Sequence, residues 1–511
     1  MRSDSGRTHS PAEAARDAKP LRHRLVRGSA YAFVATILGQ AFALVTSIVY
    51  ARLLGPGNLG VFAIYAQLSG LAVAIAGLGL STPVTRFVAR YRTEDPVALG
   101  KILSTALVLT LVATSIVAVV SVSLIDSVAI GLYRSPDLAL MVRILSLFLV
   151  FNSLSNVGAS ILQGLQRIGR LSLIGIFIEA FTIPVMFVAL SWYGLVGAVL
   201  GGTLILVCST LMLFGSAWRD LRRENVRLTL SFDRLSARQV AAYTLPLLGS
   251  MALLKVAFLI QTSELAFSLG YGDAGLFRVA TTISRIVAFV SGSISVPLLP
   301  AISELHATAP IDQNRSKLTT ILRISTYAGL PIALGVGLFA GVLIAILFGD
   351  EYVAAAPLAF VLVLAGFLDI ISVVAANSML ADGRTNMLLA LDGLQSVVIV
   401  GGTAVLIERI GLLGVGYALL LNSAVHSAMI ILLLGKRNRV EVPSVVAALL
   451  PAAGVFVLAT VSVFLANAQV NLWLAASVVA GSTLLSWGAM APHERRLIRS
   501  VPRVLMGRGV S

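Results

Sequence analysis

The sequence is poor in charge. Lys, Arg, Asp and Glu make up 12% of the 511 residues, whereas 58% of the residues are apolar. A soluble chain with so few charged groups could not cover its surface with polar side chains. The scarcity of charge therefore excludes an ordinary soluble protein and indicates a chain that crosses a membrane many times.

Cysteine and histidine are also scarce. Cys208 is the single cysteine, which excludes an internal disulfide and any cysteine-based metal or iron–sulfur site. The five histidines form no cluster of the kind that holds zinc, so we expect no metal and no catalytic residue. The motifs GxxxxGK[ST], HExxH and GxSxG are missing, which removes P-loop nucleotide hydrolysis and two common hydrolase chemistries. No cofactor is expected.

Long apolar runs occupy most of the chain. About 20 mainly apolar residues cross a ~30 Å hydrocarbon layer as a helix. Windows of that length predict fourteen spans, near 29–53, 59–80, 102–124, 141–163, 171–192, 195–217, 242–269, 274–303, 321–347, 354–380, 385–407, 411–434, 442–466 and 471–490. The predicted fold class is an all-α polytopic membrane protein.

The net charge of +15 does not indicate nucleic-acid binding, because the basic residues alternate from loop to loop. Of the 38 Lys and Arg residues, 31 fall in the termini and in the loops of one side, and four fall on the other side. Cytoplasmic loops carry such an excess, so both termini are predicted to face the cytoplasm from the cytoplasmic (inner or plasma) membrane. The outer loops are short, which argues against a membrane glycosyltransferase or polymerase.

One segment of the sequence occurs twice. Residues 51–63 read ARLLGPGNLGVFA and residues 266–278 read AFSLGYGDAGLFR, which share A-x-x-L-G-x-G-x-x-G-x-F at a constant offset of 215. Each copy is predicted to be a tight outer turn between two spans, where glycine suits the sharp reversal. Because six spans separate the copies, we expect two parallel six-helix bundles related by an axis along the membrane normal.

This organisation divides the chain into six parts. They are a basic cytoplasmic tail (1–28), read as disordered, an N-lobe (29–217), a basic cytoplasmic linker (218–241), a C-lobe (242–434), two extra C-terminal helices (435–490) and a basic cytoplasmic tail (491–511).

The first repeat copy, SILQGLQRIGRLSLI (160–174) and GLFRVATTISRIVAFVSGSISVPLLPAISEL (275–305) resemble the polysaccharide-biosynthesis flippases of the multidrug/oligosaccharidyl-lipid/polysaccharide exporter superfamily. The resemblance implies export of a polyprenyl-pyrophosphate-linked oligosaccharide by alternating access, with the lipid-linked glycan and membrane lipid as partners. A cation-coupled multidrug antiporter and a lipid II flippase of the same superfamily remain alternatives. We expect a monomer, and leave open coupling to a proton or sodium gradient and contacts with glycan polymerase or assembly proteins.

Cations inside the predicted spans are candidate substrate-binding residues. An ionisable group there costs at least ~2.5 kcal/mol and normally faces a partner or a wet cavity. Arg285 shares a helix face with Arg278 and two threonines and, like Lys255, lies near mid-membrane. Because arginine grips pyrophosphate oxygens bidentately, Arg285 leads these candidates. Arg52, beside the first turn, is a further candidate, with snorkelling to the interface as its alternative, and Arg278 is expected to pair with Glu264.

The remaining acidic residues in the spans have several interpretations. Asp369, near mid-membrane, is predicted to be a proton or sodium coupling site or the partner of Lys255. Glu179 and Asp392 lie nearer the cytoplasmic side, where a hydrated rim or a gate salt bridge would explain them.

Overall fold

The computed structural model describes residues 11–224, 226, 233–287, 311–381, 385–436, 440–450, 454, 472–492 and 494–495. Over these residues the secondary structure is helical, without strands. The helices are α1 (Pro11–Ala76), α2 (Ser81–Glu94), α3 (Pro96–Ile125), a π-helix (Asp126–Leu132), α4 (Pro136–Gly164), α5 (Ile168–Arg223), α6 (Arg234–Ser268), α7 (271–287), α8 (Ile311–Leu338), α9 (Ala340–Leu347), a 3-10 helix (Asp350–Ala355), α10 (Ala356–Ala381), α11 (Thr385–Ile410), α12 (Leu412–Lys436), α13 (442–450) and α14 (Leu472–Ala489).

The prediction of an all-α polytopic membrane protein is confirmed. Within the described part of the chain, nine helical segments are long and apolar enough to cross a membrane. Two of them, at Ala35–Ala76 and Ile168–Arg223, are 42 and 56 residues long, enough for two crossings each. The total of fourteen spans stays a prediction, since parts of the predicted spans 274–303 and 442–466 lie outside the described residues.

Glycines break the two longest helices where the sequence predicts short turns. The backbone of α1 turns at Gly55, with a φ of 70°, and that of α5 at Gly194, with a φ of 53°. In the second half, Gly270 and Gly411 occupy the corresponding turns with φ values of 101° and 59°. A side chain with a Cβ is disfavoured in this left-handed region, so glycine permits each reversal. The end of the bundle that carries these four glycines is called the turn end below.

The two halves also repeat an internal polar contact. The hydroxyls of Ser155 on α4 and Ser209 on α5 lie 2.9 Å apart. Those of Ser372 on α10 and Ser427 on α12 lie 2.7 Å apart, at positions 217 and 218 residues further along the chain. The recurrence supports the interpretation of two related halves, while their superposition by rotation about the membrane normal stays a prediction.

The buried apolar residues show where the halves meet. The largest cluster contains residues from both halves and is centred on the turn end, with members such as Leu54, Tyr133, Leu265 and Tyr352. Two further clusters lie towards the opposite end, and each belongs to one half. The described halves thus share a core at the turn end and keep separate cores at the other end.

Some segments predicted as loops or tails contain more helix than expected. Between spans 2 and 3, α2 buries Val84 and Val88 and exposes Arg86 and Arg90. This amphipathic spacing is visible in the sequence. The segment is nevertheless too short and too charged to be predicted as a membrane span.

The structure also changes the bounds of the predicted N-terminal tail and linker, because helices extend into both segments. The sequence predicts a disordered tail over 1–28, but α1 begins at Pro11. The predicted linker 218–241 is shortened, since α5 continues to Arg223 and α6 begins at Arg234. Most of the predicted tail 491–511 lies outside the described residues.

Candidate functional site

A cavity of about 240 Å³ lies between α1 and α7, one helix from each half. Its lining residues are Ile37, Gln40, Ala41, Ala43, Leu44, Ser47, Thr282, Arg285 and Ile286. Among these residues Arg285 is the one charged group, and none carries a carboxylate. An apolar cavity with one arginine and a few neutral polar groups is suited to an anionic group attached to an apolar body.

The cavity narrows towards the turn end. A second cleft, of only about 10 Å³, shares Ser47 and Thr282 with the first and is closed by Arg278, Phe348 and an aromatic pair. The pair is Tyr50 and Phe62, whose rings stack with centroids 4.6 Å apart. The polar face predicted on α7 therefore lines both clefts, with Arg278 in the narrow part and Arg285 in the wide part.

Lys255 lies at a different contact between the halves. It is exposed on α6, and its Nζ would be 3.7 Å from a Cβ placed on Gly70 of α1. It does not line the cavity that holds Arg285. The two halves thus meet at two separate contacts, and the structure places Arg285 at one and Lys255 at the other.

The repeat relates these two contacts. At the offset of 215, Gln40 is equivalent to Lys255 and Gly70 is equivalent to Arg285. All four residues lie fifteen positions from Gly55 or Gly270, so they lie at similar depth, ~22 Å along the helices from the turns. At each contact, one cation of the second half faces a small or neutral polar residue of the first half. The role of Gly70 was missed from the sequence, although the repeat offset would have identified it.

Arg52 lies outside the cavity, at the turn end. Its Nε donates to the carbonyl oxygen of Leu347 at 2.8 Å, and its Nη2 donates to that of Ile346 at 2.6 Å. These carbonyls belong to the last turn of α9, where helices leave acceptors without intrahelical partners. Arg52 therefore joins the two halves. Neither of the two predicted roles, substrate binding and snorkelling, includes this contact.

The expected pair of Glu264 and Arg278 is not formed. Among the described residues no ion pair joins them, and Glu264 Oε2 is buried without a hydrogen-bond partner. Arg278 instead faces α1 beside Tyr50 in the narrow cleft. Similar depth on neighbouring helices did not bring the two side chains together, because Arg278 points towards the other half.

Asp369 is held within the second half. It lies close enough to Ser423 of α12 for the two side chains to interact, and no ion pair between Asp369 and Lys255 occurs in the described structure. Asp392 lies on α11 close enough to His426 for their charges to interact, and Glu179 lies half-buried on α5. The four acidic candidates are thus not gathered into one site, and none lines the cavity.

This combination of features defines the protein class: a multi-pass helical membrane protein with a cavity between its two halves. Its fold is found among solved transporters. An inward-facing multidrug resistance MATE family transporter of the MOP superfamily is 18% identical and matches 78% of this chain and 94% of its own, with a TM-score of 0.68. The lipid II flippase MurJ in its inward closed conformation is 13% identical and matches 91% of this chain and 99% of its own, with a TM-score of 0.69.

The sequence comparisons identify the family. The model of the family described as "Polysaccharide biosynthesis protein" matches residues 25–306, more than half of the chain, and the protein belongs to that family. The Lipid III flippase of Escherichia coli is 26% identical over 285 residues, which are 55% of this chain and 68% of the relative. The probable low-salt glycan biosynthesis flippase Agl15 of Haloferax volcanii is 21% identical over 410 residues, which are 79% of this chain and 82% of the relative.

Proposed function

We propose that this protein exports a polyprenyl-pyrophosphate-linked oligosaccharide across the cytoplasmic membrane by alternating access. The observation that carries the proposal is the cavity between α1 and α7 that contains Arg285. The two halves share an apolar core at the turn end and have separate cores at the other end. A cavity closed at one end and bordered by two separate lobes is suited to a carrier that opens to one side at a time. Family membership and the names of the two relatives support the same class of cargo.

The proposed orientation places the turn end outside and both termini in the cytoplasm. The uneven distribution of Lys and Arg supports it, because the basic loops lie at the end opposite the turns. In this orientation the described arrangement is closed to the outside.

Arg285 is proposed to receive the pyrophosphate. A lipid pyrophosphate must carry its charge through a layer of low dielectric, where an unpaired charge is costly. A cation on the cavity wall near mid-membrane lowers that cost, and a guanidinium can bind two phosphate oxygens at once. Lys255, at the same depth on the second contact, is proposed to attract the same charge during passage.

The cavity lining also bears on the alternatives. A carrier of cationic drugs would be expected to place a carboxylate in its cavity, but the lining residues of this cavity carry a cation instead. The lining therefore favours an anionic cargo over a cationic drug.

We propose further that the protein acts alone as a transporter and carries out no chemical step. A gradient of protons or sodium is proposed to drive the cycle through Asp369, and no cofactor is needed. Glycan polymerase or assembly proteins are its proposed neighbours in the membrane.

Complementation of a strain that lacks the gene tests the proposal. Arg285→Ala should reduce surface glycan at least about tenfold and cause the lipid-linked precursor to accumulate, at an unchanged level of inserted protein. Arg285→Lys should recover only part of the export, because a point charge replaces the planar fork. Arg409→Ala is the matched control, since Arg409 is an exposed arginine at the end of α11, away from the cavity. Full export by Arg285→Ala would refute the assigned anion site.

A further inference from the structure

The two copies of the repeated turn contact each other across the halves. A Cβ on Gly60 would overlap the backbone oxygen of Tyr271, and a Cβ on Gly275 would overlap the backbone oxygen of Pro56. At the offset of 215, Gly60 is equivalent to Gly275 and Pro56 is equivalent to Tyr271. The contact is therefore reciprocal, as when two copies of one surface meet about a two-fold axis.

Side chains reinforce this contact from both halves. Besides Arg52, which caps α9, Tyr352 donates its hydroxyl to the carbonyl oxygen of Ala51 at 2.8 Å. Tyr271 donates its hydroxyl to the carbonyl oxygen of Tyr133. Each of these bonds joins the first half to the second at the turn end, next to the narrow cleft.

We infer that Gly60 and Gly275 form the closing surface of the outer gate, and that Arg52 is its polar latch. Alternating access requires the halves to separate at the turn end in the outward-open state, so every contact described above must break and reform in each cycle. Glycine at both positions lets the two backbones meet without side chains between them. The latch exists on one side only, because Phe267 occupies the position equivalent to Arg52.

The chain itself offers matched control positions. Gly57 and Gly272 are equivalent to each other in the same two turns, and a Cβ on either would meet nothing within 4 Å. Neither has the positive φ that would strain an alanine. Substitution by alanine thus changes propensity equally in all four variants, but adds a clash to the closed gate only at Gly60 and Gly275.

The experiment measures opening of the gate in intact cells. A reporter cysteine is introduced as Ser47→Cys, at a position that lines both clefts, in a Cys208→Ser background. A membrane-impermeant maleimide is added from outside. Gly60→Ala and Gly275→Ala should each raise labelling about tenfold over the parent, because the closed state is penalised relative to the open state. Gly57→Ala and Gly272→Ala should leave labelling unchanged.

A second variant keeps the inference testable if the glycine variants fail to insert. Arg52→Ala adds no atoms, removes both bonds to α9 and should also raise labelling, whereas Leu53→Ala on the exposed neighbouring residue should not. Equal labelling of the glycine variants and their controls at equal protein level would overturn the closing surface. Equal labelling of Arg52→Ala and Leu53→Ala would overturn the latch.

The inference rests on the proposed function only for the alternating-access cycle. Labelling is measured without any cargo, so a failed gate and a wrongly assigned cargo are distinguishable. The gate variants could raise labelling while the parent protein fails to restore surface glycan to the gene-deletion strain. That result would support the gate and refute the proposed cargo.

Discussion

The ammonium group of Lys255 lies against Gly70, on the helix of the opposite half. A Cβ on Gly70 would be 3.7 Å from Lys255 Nζ, which is an ordinary van der Waals distance. The same pair of positions in the other contact between the halves holds Gln40 and Arg285. A methyl group at Gly70 would therefore fit against the lysine, whereas a larger side chain would meet it.

Substitutions at Gly70 are expected to depend on the size of the new side chain. Gly70→Ala should be tolerated, with export within about twofold of the parent, because a methyl group fits at the observed distance. Gly70→Leu should reduce export several-fold, because the larger side chain occupies the space of Lys255. Surface glycan normalised to inserted protein checks both. Equal export by the two variants would show that the space beside Lys255 is not used.

The orientation can be tested at two exposed positions in a Cys208→Ser background. Asp137→Cys lies at the turn end and Glu224→Cys at the opposite end, and both side chains are exposed. An impermeant maleimide added to intact cells should label the first and label the second only after lysis. The reverse pattern would invert the proposed topology.

The sequence alone carries most of the fold. Long apolar runs, the alternation of basic loops and the repeated glycine turns predicted a two-part helical membrane protein, and the structure places glycines with positive φ at the predicted turns. Helix α2 was missed because it is not a membrane span, and because its sequence pattern is amphipathic rather than continuously apolar.

The candidate site was only partly predictable. The shared face of Arg278 and Arg285 follows from helical periodicity, because both residues lie on one helix. Contacts between distant helices do not follow from periodicity: Arg52 meets the end of α9 almost 300 residues away, and Glu264 fails to meet Arg278. Depth in the membrane could be counted along the chain, whereas the direction of a side chain towards a particular partner could not.

A buried carboxylate fixes the inner end of the first half. Asp220 is 2% exposed and accepts a hydrogen bond from Arg170 at 2.7 Å, with Arg167 Nε at 3.5 Å. Asp220→Ala should lower the free energy of unfolding by roughly 2 kcal/mol, since a charged hydrogen bond is lost while the half-exposed arginines remain hydrated. Thermal unfolding of the purified protein in detergent measures this loss.

The control for Asp220 is an ion pair in water. The side chains of Asp126 and Arg143 lie 2.8 Å apart, close to the distance between Arg170 and Asp220, but they are 59% and 54% exposed. Asp126→Ala should therefore cost only ~0–1 kcal/mol. A loss for Asp126→Ala as large as for Asp220→Ala would contradict the assignment of stability to the buried carboxylate.

Asp369 is the remaining candidate for coupling, and Asp369→Asn tests it. The amide has nearly the same shape and can still interact with Ser423, but it can neither release a proton nor supply a negative charge to sodium. We therefore expect Asp369→Asn to insert normally, to lose export at least about tenfold and to become insensitive to protonophores or to replacement of sodium in the medium. Ser423→Ala is the matched control, because it removes the neighbouring hydroxyl and leaves the carboxylate in place, so export and its dependence on the gradient should remain. Surface glycan is measured with and without each ion gradient at equal protein level. Export by Asp369→Asn that equals the parent and still falls when the gradient is collapsed would place the coupling elsewhere.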